Sequence, residues 1–242
     1  MLMVIKLRWK PLLVLLALLL VGYSGYFYYE TRIKVVPEKL LSESLENLQK
    51  LRSYRYKVDL CLQRGEHQRQ ISLIEGERAA DGSFHIWGTI EETPVDIYHL
   101  GRVTYMQVAP DGKWMTVPQN EVFAGDLFLT EINPQATFRF AGVSDLAYHG
   151  RDTVDGMKLH LLSCNPVVRN SFLEKHWQDF SYRLWVERRG PYLVRAEIQA
   201  KLKANDTDAM LMLVEFKDHN QHIDLQPPVQ QVEESFAAGE NN

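Results

Sequence analysis

The chain has 242 residues, of which 45% are hydrophobic and 24% are charged, a composition typical of one globular domain with appendages. Its formal net charge is −4 at pH 7. Because binding to phosphates requires a basic surface, this balance excludes nucleic acid as an expected partner.

The first thirty residues differ from the rest of the chain. Lys6, Arg8 and Lys10 precede an uncharged block over 11–29, which as a helix of about 1.5 Å per residue spans roughly 28 Å, close to the hydrocarbon thickness of a bilayer. Tyrosines gather at its far end, where amphipathic rings favour the membrane interface. The pattern predicts a basic cytoplasmic segment over 1–10, a transmembrane anchor over 11–29 and a stalk over 30–36.

A cleavable signal peptide is the alternative to this anchor. Bulky Tyr and Phe residues occupy the place where small residues would form a cleavage site, so an uncleaved anchor is favoured. The basic residues before the apolar block orient the N-terminus toward the cytoplasm. We therefore predict a single-pass protein of the cell membrane whose C-terminal domain is extracytoplasmic.

An amphipathic helix is predicted directly after the stalk. Pro37 suits a first helical turn, and Glu38 complements the positive end of a helix. Five leucines form one apolar stripe at helical spacing: Leu40, Leu41, Leu45, Leu48 and Leu51. A helix with a single apolar face is expected to pack on a sheet.

From residue 54 the apolar period changes to two, the period of a β-strand. In the stretch SFHIWGTI, for example, Phe84 and Ile86 share one face, whereas His85 and Trp87 share the other. Turn signals separate such stretches at Asp81-Gly82, Thr93-Pro94, Gly101 and Asp111-Gly112. Short strands joined by tight turns predict an antiparallel meander.

Further strands follow residue 140, together with a short helix after Asn170, which suits an N-cap. The sequence predicts an α+β, mainly β fold over 37–228: a large curved antiparallel sheet, an unclosed β-barrel of about 10–11 strands, with helices covering one side and the N-terminal transmembrane helix added. The polar tail over 229–242 is predicted to be disordered.

The stretch EVFAGDLFLTEINPQATFRF, residues 121–140, interrupts the strand pattern. It is strongly apolar, yet it has neither strict alternation nor a long helical stripe. Gly125, Asn133 and Pro134 would divide it into short pieces. It is therefore either ordinary core or an apolar flap over a bound ligand.

Motifs for catalysis are not found in the sequence. It contains no Walker loop, no dinucleotide fingerprint and no GxSxG elbow, so no enzymatic activity and no cofactor are predicted. His219 and His222 are three residues apart, but no Cys or second carboxylate ligand accompanies them, so no metal site is predicted. An oxidising compartment would permit a disulfide between Cys61 and Cys164, although two buried free thiols are favoured.

The order of these elements resembles the lipoprotein-carrier superfamily of LolA/LppX-like proteins. The resemblance covers about residues 37–228 and rests on the leucine-rich helix, the hairpin GRVTYMQVAPDGKWMTV, and the stretches DTVDGMKLHL, YRLWVERRGPYLVRAEI and VEFKDHNQHIDLQPP. It implies an unclosed barrel with a helical lid over an apolar cavity that binds a lipid or an acylated molecule. The chain departs from lipoprotein members because it lacks a lipobox cysteine.

Surplus apolar and aromatic residues supply the candidate lining of this cavity or of its lid. They are Trp87, Tyr105, Trp114, Phe123, Leu127, Phe128, Ile132, Phe138, Phe140 and Trp185. The expected function is a membrane-tethered binding protein for a membrane lipid or a lipoprotein acyl chain. The alternative is an envelope regulatory or structural domain that binds a protein partner and holds no lipid.

Overall fold

The computed structural model describes residues 15, 18–24, 35–108, 112–117 and 133–228. The chain divides into two compact units, Met1–Val36 and Pro37–Asn242. In the first unit, residues 15 and 18–24 are helical. Among the described residues, no helix combines the length and the apolar character needed to cross a bilayer. Four predicted segments lie wholly or largely outside the described residues and stay predictions. They are the anchor over 11–29, its flanks over 1–10 and 30–36, and the tail over 229–242.

The second unit is built on one antiparallel sheet. Its elements in chain order are helix α1 (Pro37–Lys50), strands β1 (Tyr54–Arg64), β2 (His67–Arg78), β3 (Phe84–Ile90), β4 (Thr93–Leu100), β5 (Val103–Val108) and β6 (Lys113–Val117), a 3-10 helix (Pro134–Phe138), strands β7 (Phe140–Val154) and β8 (Met157–Val168), helix α2 (Ser171–His176), and strands β9 (Trp177–Val186), β10 (Leu193–Leu202) and β11 (Asn205–Lys217). The predicted strand count and antiparallel class are confirmed.

The described strands form one open sheet of eleven members in the order β6-β5-β4-β3-β2-β1-β11-β10-β9-β8-β7. Two meanders meet at its centre, where β1 pairs with β11 over a long register that includes Tyr56 opposite Phe216 and Val58 opposite Val214. Every residue of the main apolar core lies between Leu41 and Phe216. The main apolar core of the described residues therefore lies within 37–228.

Helix α1 forms where the leucine stripe predicts it. Leu41 and Leu48 are buried with Ser44 between them, and the Ser44 hydroxyl donates to the Leu41 carbonyl. The helix packs on β7, β10 and the 3-10 helix. At its C-terminal end, the Leu48 carbonyl accepts from the Gln135 side-chain amide at 2.7 Å and from the Leu51 backbone N–H at 3.3 Å.

The two faces of the sheet differ in what covers them. Side chains alternate between the faces along each strand. On the helix-covered face, the row from Phe216 through Tyr56 and Ile86 to Ile97 is buried. Within this row the Tyr56 ring lies against Gly76, where an added Cβ would come within 2.3 Å of the ring. The other face, which we call the opposite face, carries most of the charged side chains of β1, β2 and β11.

The turn between β3 and β4 departs from the predicted position. Thr93 and Pro94 begin β4 rather than forming the turn. Glu91 and Glu92 form it instead, with φ angles of 47° and 68°. The predicted cap of α2 is confirmed, because the backbone N–H of Leu173 donates to the Asn170 side chain at 3.1 Å.

Cys61 and Cys164 are both free thiols. Cys61 lies on β1 and Cys164 on β8, with β11, β10 and β9 between them in the sheet. Burial raises the pKa of the Cys164 thiol to about 11, which keeps it protonated. The sequence favours two buried free thiols; in the structure only Cys164 is buried, and Cys61 is half-buried.

Candidate functional site

The interior beneath α1 is filled by rings of the protein itself. Phe138, which is 2% exposed, packs edge-on against Tyr182 and Phe216 with centroid distances of 6.0 and 5.9 Å. The Tyr182 hydroxyl donates to the Thr137 carbonyl at 2.8 Å, and burial raises the pKa of Tyr182 well above its ordinary value. Among the described residues, these rings therefore occupy the space between the 3-10 helix, β9 and β11.

Phe138 and Phe140 thus belong to the core cluster rather than to a movable cover. Phe140 is half-buried and lies edge-on to Tyr182 at 5.1 Å. Residues 133–140 are fixed by these contacts and by the hydrogen bond of Gln135 to α1. In this part of the stretch 121–140, Phe138 is a core ring and Phe140 packs against the core.

Four of the predicted lining residues fall in the remaining part of that stretch. Phe123, Leu127, Phe128 and Ile132 lie outside the described residues. Their contact with a ligand stays a prediction from the sequence.

Four other predicted lining residues lie on the opposite face. Trp87 is paired with Glu75 and Asp96, and Tyr105 with Tyr98, all in the register of that face. Trp114 contacts Tyr98 edge-on at 5.4 Å. Trp185 also points to this face, so these four aromatic residues, Trp87, Tyr105, Trp114 and Trp185, share no face with Phe138 and Phe140.

Trp185 is the most buried of the four, at 3% exposure. The guanidinium groups of Arg183 and Arg195 lie over its ring at 4.9 and 5.4 Å. Its indole N–H donates to Asp152 at 2.9 Å, which lowers the pKa of that carboxyl. With three neighbouring apolar residues, Leu159, Leu161 and Val194, it forms a second, smaller core.

Apolar side chains remain partly open on the helix-covered face of β3 to β6. The buried row that ends at Ile97 continues through Met106 to Met115, and both methionines are half-buried. Ile90 and Val95 are half-buried on the same face. We call Ile90, Val95, Met106 and Met115 the β3–β6 apolar surface. The sequence does not indicate these four as site residues, although strand alternation places them on this face.

The described histidines do not assemble a metal site. His219 is largely buried, stacks on Tyr192 at 4.9 Å and lies 3.9 Å from Glu187, whereas His222 is exposed. Burial lowers the pKa of His219 and raises that of Glu187. Among the described residues, no group of three or more His, Cys, Asp or Glu side chains could hold a metal ion.

The described residues thus form an open antiparallel sheet with α1 and the 3-10 helix packed together on it. The structure of LprF from Mycobacterium bovis shares this fold, with a TM-score of 0.53 and 14% identity over 79% of this chain and 96% of LprF. The resemblance inferred from the sequence is therefore confirmed as one of fold.

Two further solved structures are similar to lesser degrees. Lipoprotein LppX from Mycobacterium tuberculosis gives a TM-score of 0.49 and 16% identity over 78% of this chain and 99% of LppX. A LolA superfamily protein from Nitrosomonas europaea gives a TM-score of 0.34 and 11% identity over 80% of this chain and 96% of that protein. No family model matches the chain, and no curated protein matches its sequence.

Proposed function

We propose that the chain is a membrane-tethered, extracytoplasmic binding protein that holds the acyl chain of a lipid or lipoprotein on the β3–β6 apolar surface. The observation that carries this proposal is the change along one sheet row, from fully buried at Ile86 and Ile97 to half-buried at Met106 and Met115. An open apolar surface continuous with a core suits a chain-like apolar ligand.

The energetics suit a protein that both takes up and releases its ligand. Burial of each CH₂ group contributes about 0.8 kcal/mol, so twelve methylenes would give roughly 10 kcal/mol before the costs of ordering. Removing the same chain from a bilayer costs a similar amount. Exchange between membrane and protein would then be nearly balanced, as transfer requires.

The proposed location follows from the predicted anchor over 11–29. A stalk of seven residues, 30–36, extends at most about 25 Å at 3.3–3.6 Å per residue, so it would hold the domain close to the membrane. Short reach suits uptake of a ligand from the same bilayer and argues against shuttling between membranes.

The test uses residues 35–242, purified without detergent, followed by mass spectrometry of the organic extract. Met106→Gln is expected to reduce the lipid recovered severalfold, because it places an amide on the apolar surface at a cost of about 1–3 kcal/mol. Tyr105→Gln is the matched control, since Tyr105 is the preceding residue, is also half-buried and points to the opposite face.

Absence of lipid from the wild-type extract would contradict the proposal, as would equal lipid loss in both variants. The first result would favour the alternative, a protein-interaction domain without lipid. The filled interior around Phe138 and Tyr182 supports that alternative, and co-purification of an envelope protein without lipid would be its expected outcome.

A further inference from the structure

Three loops meet at the end of the sheet where the chain leaves β11, and we call this place the β11 junction. They are the α1–β1 connection over 51–53, the β9–β10 hairpin end over 187–192 and the segment over 218–222. The Asn220 backbone N–H donates to the Ser53 carbonyl at 2.8 Å, and the Ser53 hydroxyl donates to the Gln221 carbonyl at 2.6 Å. The junction therefore fastens the start of β1 to the end of β11.

His219 is enclosed within this junction. Its side chain is 9% exposed, and its ring stacks on Tyr192 of the hairpin end at a centroid distance of 4.9 Å and an interplanar angle of 19°. Its Nε2 atom is buried and has no hydrogen-bond partner among the described residues. A protonated imidazole carries an N–H on both nitrogens, so the charged ring would bury a donor without an acceptor. The closed junction therefore fits the neutral ring.

The charged groups around His219 do not fully offset a charge on its ring. Glu187 Oε1 lies 3.9 Å from the ring Nδ1, which is too long for a hydrogen bond, and Asp218 is held by Arg55 at 2.8 Å. The other charged or titratable side chains of the three loops are exposed: Arg52, Arg188, Arg189 and His222. Burial accordingly lowers the pKa of His219, against smaller opposing effects of the Leu193 backbone and Asp218.

Both sides of the ring stack are also attached to α1 or to the loop that follows it. The Asn47 side-chain amide donates at 3.1 Å to the carbonyl of Pro191, which precedes the stacked tyrosine. The Arg52 backbone N–H donates at 3.1 Å to the side chain of Asn220, which follows His219. Separation of the two rings would therefore disturb both attachments at the C-terminal end of α1.

We propose that the β11 junction opens in mild acid: protonation of His219 expels its ring, separates the hairpin end from 218–222 and releases the C-terminal end of α1. Histidine is suited to this role because its charge changes near neutral pH. Opening would loosen α1 over the filled half of the sheet. The inference does not rest on the proposed function, because no ligand takes part in it.

The direction of the pH dependence follows from the two buried groups. The pKa of His219 lies below its ordinary value of 6.5 in the closed junction, so its contribution to closure is fully present above pH 6.5 and is lost as the pH falls through the lowered pKa. Burial raises the pKa of Glu187 above 4.5, so its contribution is fully present below pH 4.5 and is lost as the pH rises through the raised pKa. Opening on acidification is therefore the property of His219 and not of Glu187.

The test is amide hydrogen exchange of the full chain in detergent micelles at about pH 7.5 and about pH 5.5, on either side of the ordinary histidine pKa, corrected for the intrinsic pH dependence of exchange. Protection of the Asn220 and Leu51 amides, which donate to the Ser53 and Leu48 carbonyls, is expected to fall about tenfold at the lower pH. The Arg169 amide, bonded at the other end of β8, should keep its protection.

His219→Phe keeps a ring that can stack on Tyr192 but cannot take up a proton. This variant is expected to keep the protection of Asn220 and Leu51 at both pH values. His222→Phe is the matched control, since His222 is exposed on the same segment, and it should respond to pH as the wild-type protein does.

A second measurement uses the wild-type chain alone. Titration of the His219 ring by nuclear magnetic resonance should give a midpoint below pH 6.5 that coincides with the loss of amide protection. Unchanged protection in acid would overturn the inference. The same loss of protection in His219→Phe, or a ring midpoint that does not coincide with that loss, would overturn it as well.

Discussion

At the scale of single residues, the packing of Phe138 shows how residues 133–140 contribute to the domain. The ring lies between Tyr182 and Phe216, and both neighbours are essentially inaccessible to solvent. Composition alone could not distinguish a core ring from a ligand-facing ring, because both are apolar and both lie near Gly or Pro. The distinction depends on tertiary contacts with β9 and β11, which are remote in sequence.

We expect Phe138→Ala to lower the free energy of unfolding by about 3–5 kcal/mol, because it leaves a cavity among rings that cannot all move to fill it. Phe140→Ala is the control. Because Phe140 is only half-buried, this substitution should lower the free energy of unfolding clearly less. Urea denaturation followed by circular dichroism measures both. A loss below about 1 kcal/mol for Phe138→Ala would show that the ring is not part of the core.

At the scale of elements, most of the sheet could be predicted. Period-two alternation gave the strands, and the alternation in SFHIWGTI already separated Trp87 from Phe84 and Ile86. Aromatic content alone nevertheless places Trp87 among the candidate lining residues, because composition does not indicate which face of the sheet a ring occupies. The register of β3 against β2 and β4 shows that face directly.

Turn positions were less predictable than strands. The Thr93-Pro94 pair is typical of a turn. The turn is instead formed by Glu91 and Glu92, which adopt the left-handed conformation that normally favours Asn and Gly. The tight pairing of Ile90 with Thr93 imposes that conformation on them. Local sequence preference is here overridden by the pairing of the flanking strands.

We therefore expect the double substitution Glu91→Asn, Glu92→Gly to raise the free energy of unfolding by about 1–2 kcal/mol. The left-handed conformation destabilises non-glycine residues by roughly that amount. Asp155→Asn is the control, because the Asp155-Gly156 turn already has favoured residues, and its effect should be near zero. Thermal melts of the three proteins measure the difference. Destabilisation by the double substitution would contradict the assigned turn.

At the scale of the whole molecule, the eleven described strands divide between a filled half and a partly open half. Around α1, rings from β1, β9 and β11 and from the 3-10 helix occupy the interior. From β3 to β6, the same face carries Ile90, Val95, Met106 and Met115 with part of each side chain exposed. The sequence predicted an apolar interior but could not show how it divides, because that depends on where α1 and the 3-10 helix pack.

The most direct test of the proposed function is nuclear magnetic resonance of residues 35–242 labelled with ¹³C at the methionine methyl groups and mixed with palmitate. The account predicts nuclear Overhauser contacts from the acyl methylenes to Met106 and Met115, and none to Met157, which is exposed on β8. Contacts to Met157 instead, or methyl signals of Met106 and Met115 that do not respond to palmitate, would contradict it.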